Sequence, residues 1–189
     1  MSDEHFKGKY EVELKYRVAS KAAFLQVIGT VPHEVMLLDN TETDWYFDTP
    51  ERTLATQNKS VSIREMEPSG IKLWIVKGPE ADRCEATNIT DAKAAKSMLA
   101  TMGYEPYLVM KKIRSIYFVG QYHITLDFLE GIGHFAEFAI MTDDESLLAR
   151  YKTELEQLAS QFGLTAEDLE HRSYRSLHQA RCFPTENAG

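Results

Sequence analysis

The chain of 189 residues has only two cysteines, Cys84 and Cys182, and no Cys-x-x-Cys spacing. A disulfide scaffold, a zinc ribbon and a dithiol redox site are therefore not expected, and free thiols in a reducing compartment are. No apolar run approaches the ~18 residues of a membrane-spanning helix, so no membrane partner is expected. The opening Met1-Ser2-Asp3-Glu4-His5-Phe6-Lys7 holds no apolar core, which argues against a signal peptide and for a cytoplasmic protein. Positive charge is in deficit: 21 Lys and Arg against 29 Asp and Glu give a net charge of −8. That excludes a general nucleic-acid coat protein but not a local cationic site for a small anion. There is no Gly-x4-Gly-Lys-Ser/Thr loop and no His-Glu-x-x-His, and the six histidines form no zinc-like cluster.

What the chain does have is period-two alternation. From Lys9 to Val18, Tyr10, Val12, Leu14, Tyr16 and Val18 alternate with Glu11, Glu13, Lys15 and Arg17, the pattern of a strand with one apolar and one charged face. Further strands are expected over 33–47, 60–67, 71–77, 83–89, 108–119, 122–129 and 135–141, most of them joined by short Gly- or Pro-containing turns. Helices are expected after Ser20, over 91–102 with Ala94, Ala95, Met98, Leu99 and Met102 inward, over 144–162, and over 174–181. The fold class is thus α+β: one domain over residues 1–182 whose antiparallel sheet curls or closes, with peripheral helices and a flexible tail at 183–189. The first eight residues read as loosely ordered, with Phe6 as an anchor.

The charged strand faces carry the chemistry. Same-face neighbours on a strand lie ~6.6 Å apart, so Glu11, Glu13, Lys15 and Arg17 form one row. Ser62 and Arg64 form another, as do Lys112 with Arg114, Arg83 with Glu85, and His123 with Thr125 and Asp127; Glu137 and Lys77 add to them. Taken singly, each row reads as an ordinary solvated face. The opposite faces, however, carry Val12, Leu14, Ile63, Ile124, Leu126, Phe138 and Ile140, which helices could cover. If the apolar side faces outward, the acids and bases line an enclosed bore and must be paired or ligated there. Carboxylates among Arg and Lys suit a polyanion accompanied by a divalent cation.

Glu11-Val12-Glu13-Leu14-Lys15 resembles the Glu-x-Glu-x-Lys signature of the CYTH, or triphosphate tunnel metalloenzyme, superfamily. The wider context from His5 to Lys15, Trp74-Ile75-Val76-Lys77-Gly78-Pro79, Lys112 to Phe118 and Phe135-Ala136-Glu137 is similar to the bacterial class IV adenylate cyclases, over residues ~5 to ~180. The resemblance implies a closed eight-stranded antiparallel β barrel, a tunnel, with peripheral α-helices. It implies conversion of ATP to 3′,5′-cyclic AMP and pyrophosphate with two divalent ions, Mg²⁺ or Mn²⁺, and a homodimer.

By the same resemblance, Glu11, Glu13, Asp127 and Glu137 would be metal-side carboxylates. Lys15, Arg64, Lys77, Lys112, Arg114 and Arg175 would hold substrate, with Arg83 and Glu85 lining the same region. Asp127, Lys112, Arg114 and Arg64 would act in catalysis. Where many relatives carry Glu-x-Glu on the last strand, this chain has Glu137-Phe138-Ala139, and Ala139 cannot ligate. Other readings of the residues are a tripolyphosphatase or thiamine triphosphatase in the same tunnel, a non-catalytic polyphosphate or organic-anion binder, and an apolar-ligand barrel, against which the charged rows stand.

Overall fold

The alternation of the first strand decides the architecture. In the computed structural model, which describes residues 2–182 and the side chains of 4–181, Tyr10–Val18 is strand β1. Its apolar residues Val12, Tyr16 and Val18 are buried in a cluster on the outside of the sheet. Its charged residues Glu11, Glu13 and Lys15 face the other way, into a cavity. Seven further strands follow: β2 (Glu34–Asp48), β3 (Ser60–Glu67), β4 (Lys72–Lys77), β5 (Cys84–Asn88), β6 (Glu105–Val119), β7 (Tyr122–Leu129) and β8 (Gly133–Thr142). They form one sheet in the order β1-β8-β7-β6-β2-β3-β4-β5, antiparallel throughout.

The sheet curls until its two edge strands meet. Tyr10 bridges to Arg83, Cys84 N donates to Lys9 O at 2.9 Å, and Glu11 N donates to Asp82 O at 2.8 Å. The barrel expected from the sequence is therefore drawn shut at one short seam, not by a continuous ladder. Beyond that seam β5 and β1 diverge. Gly78 shapes the approach to it: at φ +87° a Cβ would lie 2.0 Å from Asn58 O, so only glycine fits where β4 leaves the sheet.

Helices cover the outer, apolar face. Helix α1 (Lys21–Ile28) is capped by Ser20, whose Oγ accepts from Ala23 N, and buries Phe24 and Ile28. A single short turn, α2 (Thr53–Thr56), follows β2. Helix α3 (Ala92–Thr101), capped by Asp91, packs Ala92, Ala95 and Leu99 on Phe47 and Ile63. Helix α4 (Leu148–Ser160) lays Tyr151, Leu155, Leu158 and Ala159 across β1 and the strands beside it. Helix α5 (Tyr174–Cys182) sends Tyr174 and Leu177 against Met110, Leu129 and Phe135.

Two expectations need correcting. Met98 and Met102, placed inward from the helical stripe of α3, are 58% and 65% exposed, and Ala94, placed inward with them, is exposed as well. The small residues Ala92 and Ala95 bring that helix close to the sheet, and the two methionines lie beyond the contact. The N-terminal residues are not loose: Ser2–Phe6 forms a 3₁₀ turn. His5 stacks on Phe118 with ring centroids 3.9 Å apart, and Phe6 meets His123 at 4.8 Å. The tail expected at 183–189 lies outside the described residues. No helix of the described residues is long and apolar enough to cross a membrane.

Candidate active site

The curled sheet encloses a cavity of about 1290 Å³. Because alternate residues of a strand point the same way, β1, β2, β3, β4, β6 and β8 each contribute charged residues to the wall. Lys15, Arg64, Lys77, Lys112 and Arg114 line it together with Glu11, Glu13, Glu42 and Glu137. Lys112 faces inward and Lys111 outward, as the parity with Arg114 requires.

The charges form two connected groups. In the first, Arg64 grips Asp44 with two donors, at 2.6 and 3.0 Å, and lies 3.3 Å from Glu42. Lys112 lies 2.9 Å from Glu42 and 3.1 Å from Asp44. Burial opposes ionisation of both acids, yet the surrounding Arg64 and Lys112 hold them below the usual carboxylate range. In the second group, Arg114 forks onto Asp127 at 2.6 and 2.5 Å and also donates to Glu137 at 2.5 Å. Glu137 is likewise held low, against burial, by Arg114 and then Lys15.

Glu11 stands 3.4 Å from Lys77 and 3.5 Å from His123 Nε2, and these neighbours keep it ionised despite its burial. Glu13 differs. No described residue gives it a hydrogen bond or ion pair. Its cross-strand partner is Ala139, not a second acid. Burial, then repulsion from Glu137, lifts its pKa to about 7.

One end of the cavity is built on Tyr174. Its hydroxyl donates to Asp127 Oδ2 at 2.7 Å, and Lys15 Nζ sits 4.4 Å over its ring. Burial and the Asp127 charge keep that phenol protonated far above neutrality. Tyr174→Phe removes a hydrogen bond to a buried charge, worth about 1.5–3 kcal/mol. It should lower the melting temperature by roughly 3–10 °C in a calorimetric scan.

The family model of the CYTH domain matches residues 9–174. The chain belongs to the CYTH family. Adenylate cyclase CyaB of Aeromonas hydrophila is 60% identical over 177 residues, which cover 94% of this chain and 93% of that protein. A solved structure from Vibrio parahaemolyticus, which bears a provisional adenylate cyclase name, shares 62% identity at a TM-score of 0.90, over 92% of this chain and all of that one. A Pyrococcus horikoshii OT3 protein shares 26% identity at a TM-score of 0.78, over 91% of this chain and 99% of that one.

The CYTH cyclases work with a divalent cation, and the acids of this cavity suit one. Glu11, Glu13 and Glu137 offer only hard oxygen donors, and the mutual repulsion that raises Glu13 is what a cation would relieve. As the side chains stand, no three His, Cys, Asp or Glu among the described residues are gathered tightly enough to enclose an ion.

Against the resemblance, two residues, Glu85 and Asp127, change place. Glu85 does not line the cavity of this CYTH domain: it is exposed and pairs with Arg83 at 2.9 Å, because strand parity turns Cys84 and Ala86 inward instead. Arg83 sits at the seam over the Tyr10 ring, at the edge of the Glu11–Glu13 recess. Asp127 faces the interior but is completely buried. Arg114 and Tyr174 occupy its oxygens, so it supports Arg114 from behind and is not free to ligate. Arg175 does reach the cavity, donates to the Tyr107 hydroxyl at 2.9 Å and covers Tyr46 at 5.0 Å.

Sequence reasoning missed Glu42 and Asp44, both 1% exposed and central to the network. The signal was present in the alternation Asn40, Glu42, Asp44, Tyr46. It is broken upstream by register shifts and by Asp39 at φ 44°. Cys84 also faces the cavity; burial and the neighbouring Glu11 push its thiol up to about 12, so it is inert at neutral pH.

Proposed function

We propose that this cavity binds ATP with a divalent ion, Mg²⁺ or Mn²⁺, and that the chain is an adenylate cyclase forming 3′,5′-cyclic AMP and pyrophosphate. One observation carries the reading. Five cations from four strands, β1, β3, β4 and β6, converge on one enclosed space that also holds the Glu11–Glu13–Glu137 acids, in a chain 60% identical to Adenylate cyclase CyaB.

In the reaction the ribose 3′-oxygen forms a bond to the α-phosphorus, the bond from that phosphorus to the bridging oxygen breaks, pyrophosphate leaves in line, and the hydroxyl proton passes to water. The residues act chiefly by positioning and by charge. Lys15, Arg64, Lys77, Lys112 and Arg114 bind the phosphate oxygens, and the Arg forks match them geometrically. Arg64 and Arg114 are fixed in advance by Asp44 and Asp127, so little reorganisation is needed as charge grows on the leaving pyrophosphate. Glu11, Glu13 and Glu137 would hold the divalent cation, two ions on the fuller reading. When bound, it supplies Lewis-acid stabilisation of phosphate charge.

A cytoplasmic homodimer completes the reading. It is supported by the free, buried Cys84 and by Leu38, Val109 and Ile113, which β2 and β6 leave exposed.

The test is incubation with ATP and Mn²⁺, with products separated by chromatography. Cyclic AMP and pyrophosphate in equal amounts are expected. Orthophosphate without cyclic AMP would replace the reading with a triphosphatase.

A further inference from the structure

The cavity wall is not charged all round. On β3 and β4, Met66, Leu73 and Ile75 face into it, and Met36 and Ile116 continue the apolar patch from β2 and β6. Met66, Ile75 and Ile116 are only 4%, 8% and 5% exposed, yet none of the three belongs to the clusters that the helices cover. These side chains are withdrawn from bulk water but lie on the cavity side, outside the three packed clusters. A triphosphate has no use for them.

We infer that this shelf of Met66, Leu73 and Ile75 takes the purine ring of the nucleotide, and so makes the cavity a nucleoside-triphosphate site and not a bare triphosphate site. The inference rests on the ATP reading and adds the part that grips the base. Register places the shelf beside the phosphate row: Leu73 is the cross-strand partner of Arg64, and Ile75 that of Ser62. Adjacent strands are ~4.8 Å apart, so a nucleotide whose phosphates reach Arg64 has its nucleoside end within range of β4. A flat, largely apolar ring loses water on the face it lays against such a shelf and gains dispersion contacts from thioether and branched side chains. The aromatic faces deeper in the cavity are already covered. Lys15 sits over Tyr174 and Arg175 over Tyr46, which leaves the aliphatic shelf. Phe6, 38% exposed at the mouth, is the rival platform.

The experiment measures affinity for two ligands by isothermal titration calorimetry: 3′-deoxy-ATP, which lacks the attacking hydroxyl, and inorganic tripolyphosphate. The variants are Leu73→Gln, Phe6→Ala and the outward-facing neighbour control Val76→Gln. Leu73→Gln should weaken 3′-deoxy-ATP about tenfold, the scale set by apolar pocket contacts, while tripolyphosphate affinity stays within twofold. Val76→Gln should change neither. Equal losses for both ligands in Leu73→Gln, no loss for either, or a loss confined to Phe6→Ala would each overturn the assignment. Should the Leu73 variant fail to fold, Met66→Gln serves with the same criteria. The cyclase reading fails separately, by product identity, since these affinities do not depend on which phosphorus is attacked.

Discussion

Replacing Arg114 with Ala should eliminate measurable cyclic AMP formation and also lower the melting temperature by roughly 10 °C. Both effects come from one geometry. Among the described residues Arg114 is the one cation paired with both Asp127 and Glu137, and it also lies 3.7 Å from Glu42, which Lys112 and Arg64 share. Its removal leaves carboxylates in the interior without compensation, a loss of about 3–5 kcal/mol, and a domain of this size loses ~2–4 °C per kcal/mol. The kinetic loss should reach about 10³-fold, because the guanidinium is a preorganised stabiliser of phosphate charge. Arg114→Lys should not restore it, since an ammonium cannot fork onto Asp127 while reaching Glu137. The melting deficit should shrink toward acid pH, where the orphaned acids take up protons. A variant that melts like the wild type and keeps activity within a few-fold would remove Arg114 from the centre of the site.

Glu13→Gln should separate the two readouts: turnover falls at least about 10²-fold, yet the metal-free protein becomes more stable at pH 8. The sign follows from the shift. Folded Glu13 titrates near 7, against 4.5 for the ordinary carboxyl. The folded state therefore holds its proton more tightly than the unfolded chain. Its contribution is fully present below about 4.5 and is lost as the pH rises through about 7. The full shift overstates the cost, because water in the cavity screens the charge. A gain of about 1–2 kcal/mol for the Gln variant at pH 8 is expected. Melting curves from pH 4.5 to 8 in the presence of a chelator check it: the wild type should lose stability across that window relative to Glu13→Gln. Parallel curves would show that Glu13 is not the strained acid of the site. The paired acids Asp44, Glu42 and Glu137 run the other way. Their contributions are present above the ordinary carboxylate range and lost below it, outside this window.

Taken together, these variants separate a residue that both builds and serves the site from one held there at a cost. Such a cost is common where function selects the side chain. Glu13 is the clearer case: its cross-strand partner is Ala139, which gives it no hydrogen bond, and its acidic neighbours oppose its charge.

Alternation along the chain by itself determined most of the strands and several charged rows: Glu11, Glu13 and Lys15 on one, Arg64 on another, Lys112 and Arg114 on a third. It could do so because side-chain direction in a strand has a strict period of two, a local property. That these rows share one surface follows only from the curl of the sheet. Depth, contact and closure were decided only by the tertiary structure. Parity puts Asp127 on the inner face but does not say that Arg114 and Tyr174, the latter 47 residues away, fill its oxygens. It puts Met98 and Met102 on the stripe of α3 but does not say where the sheet beneath ends. It gave no warning that Glu42 and Asp44 tie Arg64 and Lys112 together, or that the edge strands join only at Tyr10 and Arg83. These are relations between residues far apart in the chain. They depend on how the sheet curls and how the helices seat on it, and no periodicity within a single segment contains that information.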